Sequence, residues 1–251
     1  MIEIDGIEIR RFPENSSAPI EDCFALCEQA GYSVLSMDYI AQLRARHPEK
    51  GHPAWTQIQK AYSGSVVGVG ILEGGIPTIV VAHRNHPLMT SGAIRRFKDY
   101  PQRFVNGAIT FPEAEVLGMI NPYKDCREPK RDVWVIQTPH LIDPQFLNSG
   151  VVLATIDGTA RTLLKPFLGD RNIATSYLMG HRNNFHQNIG IFFDENALNS
   201  EGLLFRPLWF GSDYNSLDGN DGYLSSGCVF GVPSCATPIL PSLDDILFGS
   251  E

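Results

Sequence analysis

The tripeptide His-Arg-Asn occurs twice in this sequence, at residues 83–85 and 181–183, and a further histidine follows each copy. Imidazoles bind zinc, copper, iron or nickel and exchange protons near neutral pH, and guanidinium groups bind carboxylates and phosphates. If the fold brings the two copies together, they form a site for a small anionic ligand. Whether this site also uses a divalent metal as a cofactor is left open. The predicted catalytic residues are His83, His181 and His186, the predicted anion-binding residues are Arg84, Asn85, Arg182 and Asn183, and the predicted metal ligands are His83, His86, His181 and His186.

The two copies also have a structural interpretation. Arginine and asparagine are common in turns, and a histidine that follows a strand often satisfies a buried backbone group. Nothing in the spacing requires the two copies to meet, so both interpretations stay open.

Cys228 follows the small residues Ser225-Ser226-Gly227. It is a predicted catalytic nucleophile, provided that the fold places His181 or His186 beside it as a base. The alternative is a buried cysteine in an apolar strand. Cys23 and Cys27 lie four residues apart on the apolar face of a helix and are expected in the core.

An acidic segment near the C-terminus offers a second set of metal ligands. Asp213, Asn215, Asp218 and Asp221 place oxygen atoms at roughly alternating positions before glycines, as a calcium loop requires. Leu217 occupies the third ligand position, however, and the expected final glutamate is missing. A turn rich in Asn, Asp and Gly between two strands is the alternative interpretation.

Composition narrows the class of protein. The chain has 251 residues and a net charge of -8, which argues against a binder of duplex nucleic acid. Apolar runs reach only strand length, so neither a membrane span nor a membrane partner is predicted. The five cysteines lack a disulfide framework spacing, which favours reduced thiols and a cytoplasmic location. The sequence patterns of a phosphate-binding loop, a metalloprotease helix and a nucleophile elbow are absent.

The order of elements predicts one α+β domain over residues 1–251, with a sub-boundary near 62–65 left open. A hairpin turning at Asp5-Gly6 precedes a helical N-terminal third, followed by a mainly antiparallel or mixed sheet with short helices between its strands. The three N-terminal helices are predicted from Ile20 to a stop at Gly31, from a Ser36 cap to before Pro48, and from Pro53 onward. Further strands are predicted at 65–72, 77–83, 104–110, 133–138, 150–156, 188–193, 203–210 and 223–232, and further helices at 93–100, 113–120, 159–168 and 170–179, the last ending at Gly180.

Two functions follow from these observations. The first is a hydrolase or transferase that acts on a small anionic substrate through the two His-Arg-Asn loops. The second is a non-catalytic protein–protein interaction or assembly protein that uses the N-terminal third and the apolar tail at 238–248. A homo-oligomer is left open in either case.

Overall fold

The structure is a computed structural model, and it describes residues 1–72, 75–83, 89–99, 104–105, 107–111, 133–136, 151–154, 159–168, 171–185, 189–193, 202–210, 217–219 and 225–234. The helices within these ranges are α1 (Ile20–Gln29), α2 (Met37–Arg46), α3 (Pro53–Thr56), α4 (Ser91–Lys98), α5 (Thr159–Leu168) and α6 (Arg171–Phe185). The strands are β1 (Ile2–Ile4), β2 (Ile7–Phe12), β3 (Ala18–Pro19), β4 (Tyr32–Val34), β5 (Ala61–Leu72), β6 (Ile76–Ala82), β7 (Phe104–Val105), β8 (Ala108–Phe111), β9 (Val133–Ile136), β10 (Val151–Ala154), β11 (Ile189–Phe193), β12 (Gly202–Phe210), β13 (Leu217–Gly219), β14 (Ser226–Gly227) and β15 (Val229–Pro233).

Local signals place the N-terminal elements where the sequence predicts them. Asp5 and Gly6 both have positive φ, which gives β1 and β2 the tight turn of a two-residue hairpin. Gly31 follows α1 with a φ of +77°, and Pro53 occupies the first turn of α3. Ser36 occupies the N-cap position of α2, but its hydroxyl donates to the Asp38 carboxylate rather than to the helix backbone.

One mixed sheet joins the two ends of the described chain. Its main path runs β1-β2-β15-β5-β12-β13-β11-β10, with β4 beside β15, β6 and β9 beyond β5, and β7 and β8 beyond β12. Most neighbouring strands are antiparallel, and β15 runs parallel to β5 through the pair Val229 and Tyr62. β15 also pairs with β2 and β4, which precede residues 62–65 in the chain. Strands from both sides of that predicted sub-boundary therefore belong to one sheet. The predicted single α+β domain with a mixed sheet is confirmed.

Helices cover both faces of this sheet. Along β6, Ile79 and Val81 enter a core cluster with α2, α3, α5 and α6, while Val80 and Ala82 enter a second cluster with α1 and α4. Successive strand residues point to opposite faces, so a strand buried on both sides is apolar throughout. This explains the continuous Val- and Ile-rich runs in the sequence.

Two predicted elements are corrected. The strand predicted at 104–110 is a hairpin of β7 and β8, because Gly107 adopts a φ of +78° and reverses the chain. The helix predicted to end at Gly180 continues to Phe185. Gly180 instead lies where α6 closely approaches Trp55 and Pro48. A Cβ at this position would be 2.5 Å from Cζ2 of Trp55 and 3.1 Å from Cα of Pro48. The second His-Arg-Asn copy is therefore helical rather than a loop.

Several predictions concern residues outside the described ranges: Arg84, Asn85, His86, His186, Asp213, Asn215, Asp221, two of the five cysteines (Cys126 and Cys235), the helix at 113–120 and the tail at 238–248. In the described part of the chain, every helix is too short or too polar to cross a lipid bilayer.

Candidate functional site

His83 lies in the interior, directly after β6, and is only 2% exposed. Its Nε2 lies 2.6 Å from the carbonyl oxygen of Pro166, which can only accept, so Nε2 carries a proton. Its Nδ1 lies 2.7 Å from Oγ of Ser65, and that oxygen also accepts from the backbone N–H of Met37 at 2.8 Å. Met37 begins α2 and Pro166 lies in the last turn of α5, where helices leave backbone groups without intrahelical partners. His83 and Ser65 therefore bridge two helix ends.

The carboxylate of Asp38 completes this buried cluster, with Oδ1 3.8 Å from Nδ1 of His83. The composition matches a Ser-His-Asp triad, but the geometry differs. In a triad, the serine and the carboxylate contact opposite nitrogens of the imidazole. Here Ser65 and Asp38 both lie on the Nδ1 side of the His83 ring, and Nε2 donates to the backbone carbonyl of Pro166. The buried cluster joins the start of α2, the end of β6 and the end of α5.

His181 is also buried, at 1% exposure. Its ring lies against three aromatic rings, with centroid separations of 5.1 Å to Phe185, 6.3 Å to Trp55 and 6.5 Å to Tyr177. Arg182 is exposed at the surface. The predicted catalytic, anion-binding and metal roles of the two His-Arg-Asn copies stay predictions, because four of their members lie outside the described residues.

The Cys228 thiol is buried and contacts the carbonyl oxygen of Lys60 at 3.2 Å. Burial raises its pKa, which opposes formation of the thiolate that a nucleophile needs. Burial also raises the pKa of Cys23 to about 11 and that of Cys27 to about 12, and both residues lie in the core as predicted. The described structure therefore places Cys228 in an environment typical of a packing residue.

Asp218 is the one proposed calcium ligand within the described ranges. It lies in β13, where it pairs with Trp209 of β12 and with Phe192 of β11. The calcium loop itself stays a prediction.

The structure assembles a polar site that the sequence analysis missed. The segment His47-Pro48-Glu49-Lys50-Gly51-His52 connects α2 to α3, and we refer to it as the histidine loop. Oδ1 of Asp5, in the turn of the first hairpin, lies 2.8 Å from Nε2 of His47. Nδ1 of His47 faces Oε1 of Glu49 at 3.4 Å, and Nε2 of His52 lies 4.0 Å from the same oxygen.

The end of α6 holds the backbone of the histidine loop. The Asn184 amide accepts from the N–H of Gly51 at 2.8 Å and donates to the carbonyl of Glu49 at 3.3 Å. The Asn183 amide donates to the carbonyl of Pro48 at 3.1 Å. The loop conformation is therefore set by Asn183 of the second His-Arg-Asn copy and by Asn184, which follows it.

The indole of Trp55 supports the same loop from the protein interior, because its Nε1 donates to the carbonyl of His47 at 2.7 Å. Trp55 stacks in turn with the buried Arg44 guanidinium, whose carbon lies 4.9 Å from the ring centroid. Arg44 donates to the carbonyls of Ala54 and Ile58 at 2.9 and 2.7 Å, so α2 fixes the chain on the far side of the loop.

The two imidazoles of the loop stack in parallel, with centroids 4.0 Å apart and an interplanar angle of 8°. Nδ1 of His52 accepts from the N–H of Ala54 at 3.2 Å, which leaves Nε2 directed at the Glu49 carboxylate. Burial and the neighbouring His47 lower the pKa of His52, and the carboxylates of Glu49 and Asp5 act in the opposite direction. Two imidazoles and a carboxylate at this separation are a donor set that a transition metal can use.

A signal for this site does exist in the sequence. Two histidines five residues apart, with a glutamate between them and proline and glycine in the same segment, indicate ligands on a turn. The support from Asp5 and from Asn184 gives no such signal, because each lies far from the loop along the chain.

Comparison with known proteins identifies the fold. The chain is similar to a solved structure described as "Accommodation of massive sequence variation in Nanoarchaeota by the C-type lectin fold", with a TM-score of 0.67 over 92% of this chain and 100% of that chain. This protein has a C-type lectin fold. The identity between the two chains is 22%, and the likeness therefore concerns the fold. No protein-family model matches the sequence, and the search of curated proteins returned no match. Within this C-type lectin fold, the histidine loop lies on the surface beside the first hairpin and the end of α6.

Proposed function

We propose that this chain is a non-catalytic binding protein, in which a rigid C-type lectin fold carries a surface that recognises another protein. The observation that carries the proposal is the likeness, along nearly the whole chain, to a structure whose description attributes the accommodation of massive sequence variation to the C-type lectin fold. A fold that tolerates many surfaces over one scaffold suits recognition better than it suits one fixed catalytic geometry.

The described surface offers a suitable patch at the end of α6. Met179 is 54% exposed, and Arg182 and Asn183 follow three and four residues later on the same side of the helix. Methionine and arginine are enriched in protein–protein interfaces, where an apolar side chain surrounded by polar groups often anchors the partner. We refer to Met179, Arg182 and the adjoining exposed residues Glu49 and Lys50 as the helix-end patch.

Rigid support favours binding at this patch. The hydrogen bonds from Asn183 and Asn184 hold the histidine loop against α6, so less conformational entropy is lost when a partner binds. The described histidines of the alternative hydrolase or transferase hypothesis are buried, and no described observation favours that function.

A peptide selection tests the proposal. The tag-free full chain is used to select from a phage-displayed random-peptide library, and chromogenic esters, phosphates and glycosides are assayed in parallel for turnover. We expect enriched peptides that bind saturably, without turnover of any substrate. Binding should weaken at least tenfold in a Met179→Ser/Arg182→Ser variant.

The matched control is Leu26→Ser, because Leu26 is an exposed apolar residue, at 42%, on a different helix. Equal binding by the Met179→Ser/Arg182→Ser variant, or failure to enrich any peptide, contradicts the proposed patch. Turnover that copurifies with the chain and disappears in His83→Gln would instead support the hydrolase or transferase hypothesis.

A further inference from the structure

We propose that His47, Glu49 and His52 form a binding site for a divalent transition metal ion of the zinc type. One ligand atom from each of the three side chains lies within 4.8 Å of the other two. Among the described residues, this is the one group of three or more His, Cys, Asp or Glu side chains with that spacing. The inference does not depend on the proposed binding function, because it concerns the metal ion alone.

One pair of donor atoms already has the separation of a tetrahedral site, and a second pair is close to it. With metal–ligand bonds of about 2.0–2.1 Å, neighbouring donors in a tetrahedral zinc site lie about 3.4 Å apart. Nδ1 of His47 and Oε1 of Glu49 have this separation, at 3.4 Å. Nε2 of His52 lies 4.0 Å from Oε1 of Glu49 and must approach by about half an ångström. The three protein ligands leave a fourth coordination position for water or for an external ligand.

Asp5 supports His47 in the manner usual for metal-binding histidines. A ligating imidazole commonly donates its other N–H to a carboxylate, which orients the ring and selects the tautomer. Oδ1 of Asp5 lies 2.8 Å from Nε2 of His47 and leaves Nδ1 facing Glu49. Asn184 fixes the backbone of the segment that carries all three ligands.

His52 is the ligand that must move. A metal ion lies in the plane of each imidazole that it binds, and the rings of His47 and His52 are stacked in parallel at 4.0 Å. Nδ1 of His52 also accepts a hydrogen bond from the Ala54 N–H at 3.2 Å. Coordination through Nε2 places the proton of the neutral ring on Nδ1, which ends this bond. Metal binding is therefore coupled to the first turn of α3.

Titration of the tag-free full chain with Zn²⁺ tests the site, with Co²⁺ absorption as a readout of tetrahedral coordination. We expect one site that weakens at least tenfold in each of Glu49→Gln and His52→Gln. Asp5→Asn should weaken it by about 10–100-fold, as expected for loss of a carboxylate that orients a ligand. The amide NMR signal of Ala54 should shift when the metal binds.

Two matched controls keep the result specific. Lys50→Ala alters the same loop without removing a ligand, and His86→Gln/His186→Gln removes histidines of the His-Arg-Asn copies; both should bind Zn²⁺ as the parent does. Glu49 is exposed, so loss of binding in Glu49→Gln with an unchanged melting temperature cannot be attributed to unfolding. Absence of saturable Zn²⁺ binding by the parent overturns the proposal, and so does binding that survives Glu49→Gln and His52→Gln or that disappears in His86→Gln/His186→Gln.

Discussion

Replacing His83 by leucine should destabilise the protein strongly, because this ring joins the N-terminus of α2 to the C-terminus of α5. The substitution leaves the Pro166 carbonyl without its 2.6 Å donor and the Ser65 hydroxyl without its 2.7 Å partner. A buried polar group that loses its partner costs about 1–3 kcal/mol, so the two together cost about 4 kcal/mol. In a domain of this size, that corresponds to a fall of about 8–16 °C in melting temperature.

Calorimetry and urea denaturation of the parent, His83→Leu and His83→Gln measure this effect. The glutamine amide can donate to the Pro166 carbonyl while its oxygen accepts from Ser65, so His83→Gln should retain more than half of the stability that His83→Leu loses. If His83→Leu melts within about 2 °C of the parent, the helix-end bridge contributes little, well below the expected 4 kcal/mol. That result would refute the structural interpretation and favour the predicted catalytic or metal-binding role of His83.

Three further predictions concern packing, the histidine loop and alkaline stability. Gly180→Ala should lower the free energy of unfolding by about 1–3 kcal/mol in urea denaturation, because the new Cβ would overlap the indole of Trp55. Gly92→Ala has open space around its Cβ and should be neutral or stabilising. Equal effects of the two substitutions would contradict the close packing at Gly180. Asn184→Ala should speed amide hydrogen exchange at Gly51, which donates to the Asn184 side chain. An unchanged rate would show that the histidine loop keeps its conformation without Asn184. The pKa of Cys27, raised by burial to about 12, gives stability that is complete below the ordinary pKa near 9 and is lost as pH rises toward 12. Urea midpoints should fall over that range, and the fall should be less steep in Cys27→Ala; identical slopes would contradict the shift.

The elements that the sequence predicts well depend on interactions between near neighbours. Asp5-Gly6 supplies the positive φ values of a hairpin turn, and Pro53 suits the first turn of a helix. The Val- and Ile-rich strands β5 and β6 are buried on both faces, as their unbroken apolar runs indicate. The three N-terminal helices and most strands therefore follow from short segments of sequence alone.

Distant packing determines the position and contacts of a residue where short segments of sequence do not. Gly180 has the residue type of a helix stop, but the missing Cβ makes room for Trp55 and Pro48, and α6 continues through it. His83 has the residue type of a general base, and the strand end places it between two helix ends in the interior, where its catalytic role stays a prediction. In both cases the residue type indicates a capability, and the neighbours decide how that capability is used.

The candidate metal site shows the same division. The sequence by itself determined that two imidazoles and a carboxylate lie on one short turn, because the three residues belong to a single six-residue segment. Only the tertiary structure decided that Asp5 orients His47 and that Asn184 fixes the loop backbone. These contacts join residues more than 40 and more than 130 positions apart, as the pairs Asp5–His47 and Gly51–Asn184 show. Local propensities cannot specify such contacts, since they arise from the packing of α2 against α6 and from the position of the first hairpin beside them.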